Sequence, residues 1–202
     1  MQENWIGRSN GAIIKFNLKD NAGINLKVFT TRLDTLFGVT YMAVSPNHEV
    51  TSIIKKKELK DKISNLKELF KNHDFEKEKI GFNTGLKAIN PINNNEIPIW
   101  VANYVMDDYG TGAVMGVPAH DQRDYDFAEK YKIIIKKVIT KDINQSNKNH
   151  KNAFEENGFL INSDKYDGIS NSEAKIKFLD KAKNEGWGEE KIQYKLRDWL
   201  IS

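Results

Sequence analysis

Cysteine does not occur in this 202-residue chain, which excludes disulfides, thiolate metal sites and a cysteine nucleophile and fits a reducing compartment. Long apolar runs are missing too. Ile97–Ala102 is among the most apolar stretches, and Pro98 interrupts it. Nothing approaches the roughly 20 apolar residues of a membrane span, so no membrane association is expected. Met1–Asn10 lacks a hydrophobic signal core, which points to a cytoplasmic address. Charge of one sign is also in short supply. The 31 basic and 28 acidic side chains leave a net charge of +3, too little to mark a nucleic-acid binder by composition alone. No internal repeat, Gly-x-Ser-x-Gly elbow or His-x-x-x-His pair occurs, so neither a serine nucleophile nor a metal has a sequence signature.

What is present reads as one domain. Ile14, Phe16 and Leu18 alternate with polar residues, as do Ile24, Leu26 and Val28 beyond a turn at Asp20–Gly23, which predicts a hairpin. Further strands are predicted at Val39–Val44, Gly85–Ile89, Ile97–Val101, Ala113–Val117, Ile133–Ile139, Phe159–Ile161 and Gln193–Leu196. Asn47 is a candidate cap for a short helix toward Ile54. Leu59, Ile63, Leu66, Leu69 and Phe70 recur at helical spacing within 55–72, and helices are also predicted at Asp121–Tyr131 and Ser172–Asn184. Thr140–Asn152 is polar and reads as a loop. The pattern predicts an α+β fold with a β-barrel core or curled sheet and peripheral helices.

Two stretches place small hydroxyls, glycines and charges where a plain core would hold Leu, Ile or Val. The first is Thr30-Thr31-Arg32-Leu33-Asp34-Thr35-Leu36-Phe37-Gly38; the second runs from Gly110 to Ala128 and contains Met115, Val117, His120, Asp121 and Asp124. A strand end carrying hydroxyl donors and an arginine suits a polar ligand, and Thr35 is placed to cap a following helix. Gly110-Thr111-Gly112 gives the backbone freedom for a close approach. In the second stretch, Asp121 can simply cap a helix with Asp124 in its first turn. Alternatively, a carboxylate there can hold an ammonium group. A metal on His120 and Asp121 is the weakest reading, because His48, His73 and His150 lie in unrelated segments.

These two stretches resemble the editing domain of leucyl-tRNA synthetase, the class I insertion called connective polypeptide one. Met1–Ser9 resembles its lead-in from the catalytic body, and Arg197–Ser202 resembles its return strand. Isoleucyl and valyl relatives usually carry Pro-Glu where this chain has Leu33-Asp34. The family's two ATP-site signatures, of the HIGH and KMSKS types, are missing, so no amino-acid activation is expected. Departures from the family pattern fall mainly within 55–79 and 140–152.

The resemblance implies a single editing domain over 1–202, with 1–9 and 194–202 linking it to the rest of the parent synthetase. It implies post-transfer hydrolysis of the aminoacyl ester on the 3′-terminal adenosine of mischarged tRNA(Leu), with no metal or cofactor and a monomeric state. The catalytic group it implies is Thr30, Thr31, Arg32, Asp121 and Asp124. Substrate would be bound by Thr35, Tyr109, Met115, Val117, His120 and Asp124. Thr35 would block leucine's branched γ-carbon, Asp124 would pair with the α-ammonium, and Asp121 or His120 would order the water. An editing domain of isoleucyl- or valyl-tRNA synthetase, or a tRNA-docking module without hydrolysis, are the alternatives.

Overall fold

A computed structural model describes residues 6–21, 23–71, 78–106, 111–143 and 152–196. Strand β1 (Ile6–Leu18) and β2 (Asn25–Thr30) form the expected hairpin, in register from Ala12 opposite Thr30 to Asn17 opposite Asn25. Leu26, Val28 and Thr30 are buried, while Lys27 is exposed. β3 (Tyr41–Val44) runs antiparallel to β6 (Ala113–Gly116) and parallel to β5 (Glu96–Ala102), which makes the sheet mixed. β4 (Gly81–Ile89) joins β5 to β1 and starts four residues before the expected Gly85. Its register shifts between Asn83 and Lys87, where Gly85 takes φ +79°, a conformation that favours glycine.

Among the described residues the expected barrel does not form. The path β2-β1-β4-β5-β3-β6 has two ends, with β9 (Gly188–Leu196) a further partner of β1. β2 and β6 run near each other, but no hydrogen-bonded ladder joins them. The outer edges of β2 and β6 stay unjoined. One edge of β1 serves β2, and the other is divided between β9, along Ile6–Ile14, and β4, at Asn17 and Leu18. Closure needs a continuous ladder with matched tilt and stagger, and alternation in a sequence does not say which edges meet.

Among the described residues three α-helices cover the sheet: α1 (Lys57–Lys71), α2 (Gln122–Tyr131) and α3 (Asn171–Glu185). Asp121 caps α2 by accepting the Asp124 N–H, and Ser170 caps α3 by accepting that of Glu173. His48, not Asn47, caps the short 3₁₀ turn Glu49–Ile53 through Nδ1, because the Asn47 N–H is turned back to Ser45. Of the expected strand Ile133–Ile139, only its last residue pairs, in β7 (Ile139–Thr140) against β8 (Phe159–Leu160). The Ile133 N–H is consumed by Ala128 at the end of α2, and Ile134 is left exposed.

β3 divides the core. Met42 and Val44 belong to the main apolar body with Leu33, Leu36, Met115 and Val117. Tyr41 and Ala43 face a smaller aromatic body around Phe127 of α2. Gly116 permits this arrangement, since a Cβ there would fall 2.2 Å from the Tyr41 ring.

Candidate active site

The hydroxyl-rich stretch begins where β2 ends. Thr30 Oγ1 accepts the Arg32 N–H at 2.9 Å, which bends the chain into a 3₁₀ helix over Leu33–Gly38. Arg32, not Thr35, occupies the position preceding that helix. Thr35 sits inside the turn, fully buried, and its amide (3.1 Å) and hydroxyl (2.8 Å) both donate to the Arg32 carbonyl. The second bond holds an already stiff β-branched side chain in one rotamer. Thr31 is exposed.

Asp34 is completely buried and collects donors from both ends of the chain. Arg32 donates to it through Nε (3.2 and 3.3 Å) and Nη2 (3.1 Å). Asn171 Nδ2 lies at 3.4 Å and Lys175 Nζ at 3.8 Å, both from α3. A buried carboxylate needs such partners because desolvation otherwise penalises its charge.

The second stretch crosses from β6 into α2. Met115 and Val117 are buried in the main core. Asp124 is 2% exposed; its Oδ2 accepts the Val117 N–H at 2.9 Å and its Oδ1 the Tyr41 hydroxyl at 3.2 Å. Tyr104 passes its own hydroxyl hydrogen to Tyr41 at 2.8 Å. Burial, helped by the neighbouring Asp121 charge, raises the Asp124 carboxyl from 3.8 to about 6, against the two donors and Arg123. Burial also pushes Tyr41 well above the ordinary tyrosine range, so it remains a donor. Asp121 commits Oδ1 to capping, while its Oδ2 lies 3.8 Å from the Arg123 guanidinium.

His120 spends both ring nitrogens on backbone. Nε2 accepts the N–H groups of Val138 (2.9 Å) and Ile139 (3.2 Å), which leaves Nδ1 to donate to the Phe154 carbonyl at 2.8 Å. Burial lowers it to about 4; the Phe154 bond works the other way, and the Arg32 charge reinforces the shift. The imidazole is therefore neutral at physiological pH. Among the described residues no group of three or more His, Asp or Glu could hold a metal ion.

The fold brings Met115, Val117 and His120 toward the turn that carries Arg32 and Asp34. Thr40 donates its N–H to Gly116, Met42 pairs with Met115, and His120 senses the charges of both Arg32 and Asp34. Asp124 is set apart. Its carboxylate meets Tyr41, on the aromatic side of β3, and no described hydrogen bond links it to Thr30, Thr31, Arg32 or Thr35. Tyr109 and Gly110 lie outside the described residues. Beside Thr111 a cavity of about 590 Å³ is lined by Asn25, Lys27, His48, Glu49 and Ser52. Sequence reasoning missed Tyr41, Asn171 and Lys175. Asp34 had a signal in being a charge inside an apolar turn, whereas Asn171 and Lys175 had none.

The chain matches the family model described as leucyl-tRNA synthetase, editing domain, over residues 3–183. A leucine–tRNA ligase of Prochlorococcus marinus (strain AS9601) is 57% identical over 203 residues, covering 100% of this chain and 24% of that protein. The ligase of strain NATL1A is 46% identical over 209 residues with the same coverage. The chain therefore spans about a quarter of the length of these curated relatives. Among solved structures, a LeuRS–tRNA–LeuAMS ternary complex from Agrobacterium radiobacter superposes with a TM-score of 0.75 at 32% identity, covering 98% of this chain and 22% of that one.

Proposed function

Because this chain belongs to the leucyl-tRNA synthetase editing-domain family, we propose that it hydrolyses the ester linking a wrong amino acid, such as norvaline or isoleucine, to the terminal adenosine of tRNA(Leu). The observation that carries the reading is the burial of Thr30, Asp34 and Thr35 in one polar stretch and of His120 and Asp124 in the other, in a chain of this family. Aminoacyl-tRNA synthetases are themselves the general example of two-sieve selection: one apolar pocket separates ligands differing by a methylene only about 10- to 200-fold, so a second site must remove the errors.

In this reading Thr35 is the steric stop against leucine, and Met115 and Val117 form the apolar wall. Asp124, ionised above about pH 6, anchors the α-ammonium once substrate or a shift of α2 opens its enclosure. Thr30, Thr31, Arg32 and Tyr109 hold the ribose, adenine and ester. Asp121 orders the attacking water, since its Oδ2 is the less committed oxygen, whereas His120 shapes the wall with both nitrogens engaged. An aminoacyl ester is already activated, so aligning water with it does most of the work, up to about 7–11 kcal/mol. Proton transfer adds about 10²- to 10⁴-fold. The chemistry calls for no cofactor.

Residues 1–202 act as one domain of a cytoplasmic, monomeric parent, with 1–9 and 194–202 as its connections. The pairing of Ile6–Ser9 with Gln193–Leu196 supports that placement by bringing the two connections together. Among the described residues no helix is long and apolar enough to cross a membrane.

The test compares deacylation of norvalyl- and leucyl-tRNA(Leu). The native protein should clear the first and spare the second. Thr35→Ala should raise leucyl-tRNA hydrolysis by about 10- to 200-fold, whereas Thr35→Val, which keeps the volume, should still exclude leucine. A Thr35→Ala protein that leaves leucyl-tRNA intact sinks the steric role.

A further inference from the structure

α3 reaches the hydroxyl-rich turn from more than 130 residues away in sequence. Asn171, Lys175 and Phe178 share one face of the helix at spacings of four and three. Phe178 packs against Phe37 with ring centroids 5.8 Å apart and planes inclined at 52°, which docks the helix on the turn. Above this apolar contact, Asn171 and Lys175 address the one carboxylate that also grips Arg32.

The geometry of that cluster is directional. Asp34 Oδ2 receives Arg32 Nη2, Arg32 Nε and Asn171 Nδ2, while Oδ1 receives Arg32 Nε and faces Lys175 Nζ. Asn171 is itself immobilised. It is 4% exposed, its Oδ1 accepts the Gly158 N–H at 3.4 Å, its Nδ2 also donates to Asn157 at 3.1 Å, and its backbone N–H bonds to Gly158 at 2.9 Å. With Nε and Nη2 spent on Asp34, Arg32 keeps Nη1 for another partner, and its side chain is 25% exposed.

We propose that Asn171 and Lys175 are positioning residues: through Asp34 they fix the Arg32 guanidinium so that its free edge meets the substrate in the orientation hydrolysis requires. The inference rests on the reading of function given above. It makes the polar face of α3 part of the active site without any contact to substrate.

Two measurements on the full-length parent protein test it. The first needs no substrate: hydrogen exchange at Arg32 Nε, followed by NMR, should be slow in the native protein and at least about tenfold faster in Asn171→Ala/Lys175→Met, the expected consequence of losing charge-assisted bonds. Unchanged exchange overturns the clamp. The second is single-turnover deacylation of norvalyl-tRNA(Leu). The double variant should lose about tenfold or more in the maximal single-turnover rate constant with little change in the enzyme concentration giving half that rate, Lys175→Arg should retain activity, and leucine attachment should be unaffected. In an Arg32→Ala background the same substitutions should have no further effect. An equal loss with and without Arg32 overturns the proposal in favour of a purely structural role. Because Lys175 is 40% exposed, Lys175→Met alone serves if the double variant does not fold. A native protein that spares norvalyl-tRNA overturns the function reading instead, and the exchange measurement still decides the clamp.

Discussion

Asp34 and Asp124 lie equally deep, 0% and 2% exposed, one in each polar stretch, yet their surroundings differ in kind. Asp34 is met by a guanidinium, an ammonium and an amide drawn from the turn and from α3. Asp124 is met by a tyrosine hydroxyl and one backbone N–H, with Arg123 acting only at longer range. The first carboxylate is part of a charge-paired joint between distant segments. The second stays costly to ionise, which is why its carboxyl rises to about 6. Burial by itself therefore does not assign a role to an aspartate. The donors separate the two: cations hold Asp34, whereas neutral donors hold Asp124.

Removing Asp34 should break this contrast most severely. Asp34→Ala strands the Arg32 and Lys175 charges beside a buried turn and should cost about 3 kcal/mol, the lower end for breaking a buried pair because both cations keep some solvent. Urea unfolding measures it, and a loss below about 1 kcal/mol would show that the joint is not structural.

Asp124→Asn probes the other carboxylate through pH. The rise from 3.8 to about 6 means that Asp124 favours the folded state below pH 4 and that this contribution, about 3 kcal/mol, is lost as pH climbs through 6. His120, lowered from 6.5 to about 4, acts in the opposite sense: its contribution is complete above 6.5 and lost as pH falls through 4. The two offset each other in the native protein. Asp124→Asn should unmask the histidine, so that stability rises with pH between about 4 and 6.5. A variant whose stability tracks the native curve would refute the opposition.

The smallest expected effect belongs to Tyr41→Phe, which takes one donor from Asp124 and the acceptor from Tyr104. It should cost about 1 kcal/mol and raise the Asp124 carboxyl further. NMR titration of the Asp124 carboxyl carbon is the check, and a fall would mean that the Tyr41 hydroxyl does not stabilise the ionised carboxylate.

Alternation at Ile14–Leu18 and Ile24–Val28 was enough to read the β1–β2 hairpin, since a two-residue period marks one buried face. Helical spacing at Leu59, Ile63 and Leu66 likewise marked the buried side of α1. The early start of β4 was not legible, because Gly81–Thr84 carries no alternation and the bulge at Gly85 breaks the period. Ile133–Ile135 reads as strand, yet the apolar run finds no partner edge there. The same limit explains the missing barrel, as register and edge choice depend on all neighbouring strands together.

Local chemistry is what the order of residues determined here. It set the hydroxyl-rich turn, the Asp121 cap, the amphipathic helix faces and the family to which the chain belongs. Each depends on neighbours within a few positions, so a linear reading reaches it. Tertiary structure alone decided that α3 holds Asp34, that Tyr41 rather than a cation meets Asp124, and that His120 is neutral. Those outcomes follow from desolvation and from donors supplied by remote segments, and neither exists until the chain has folded.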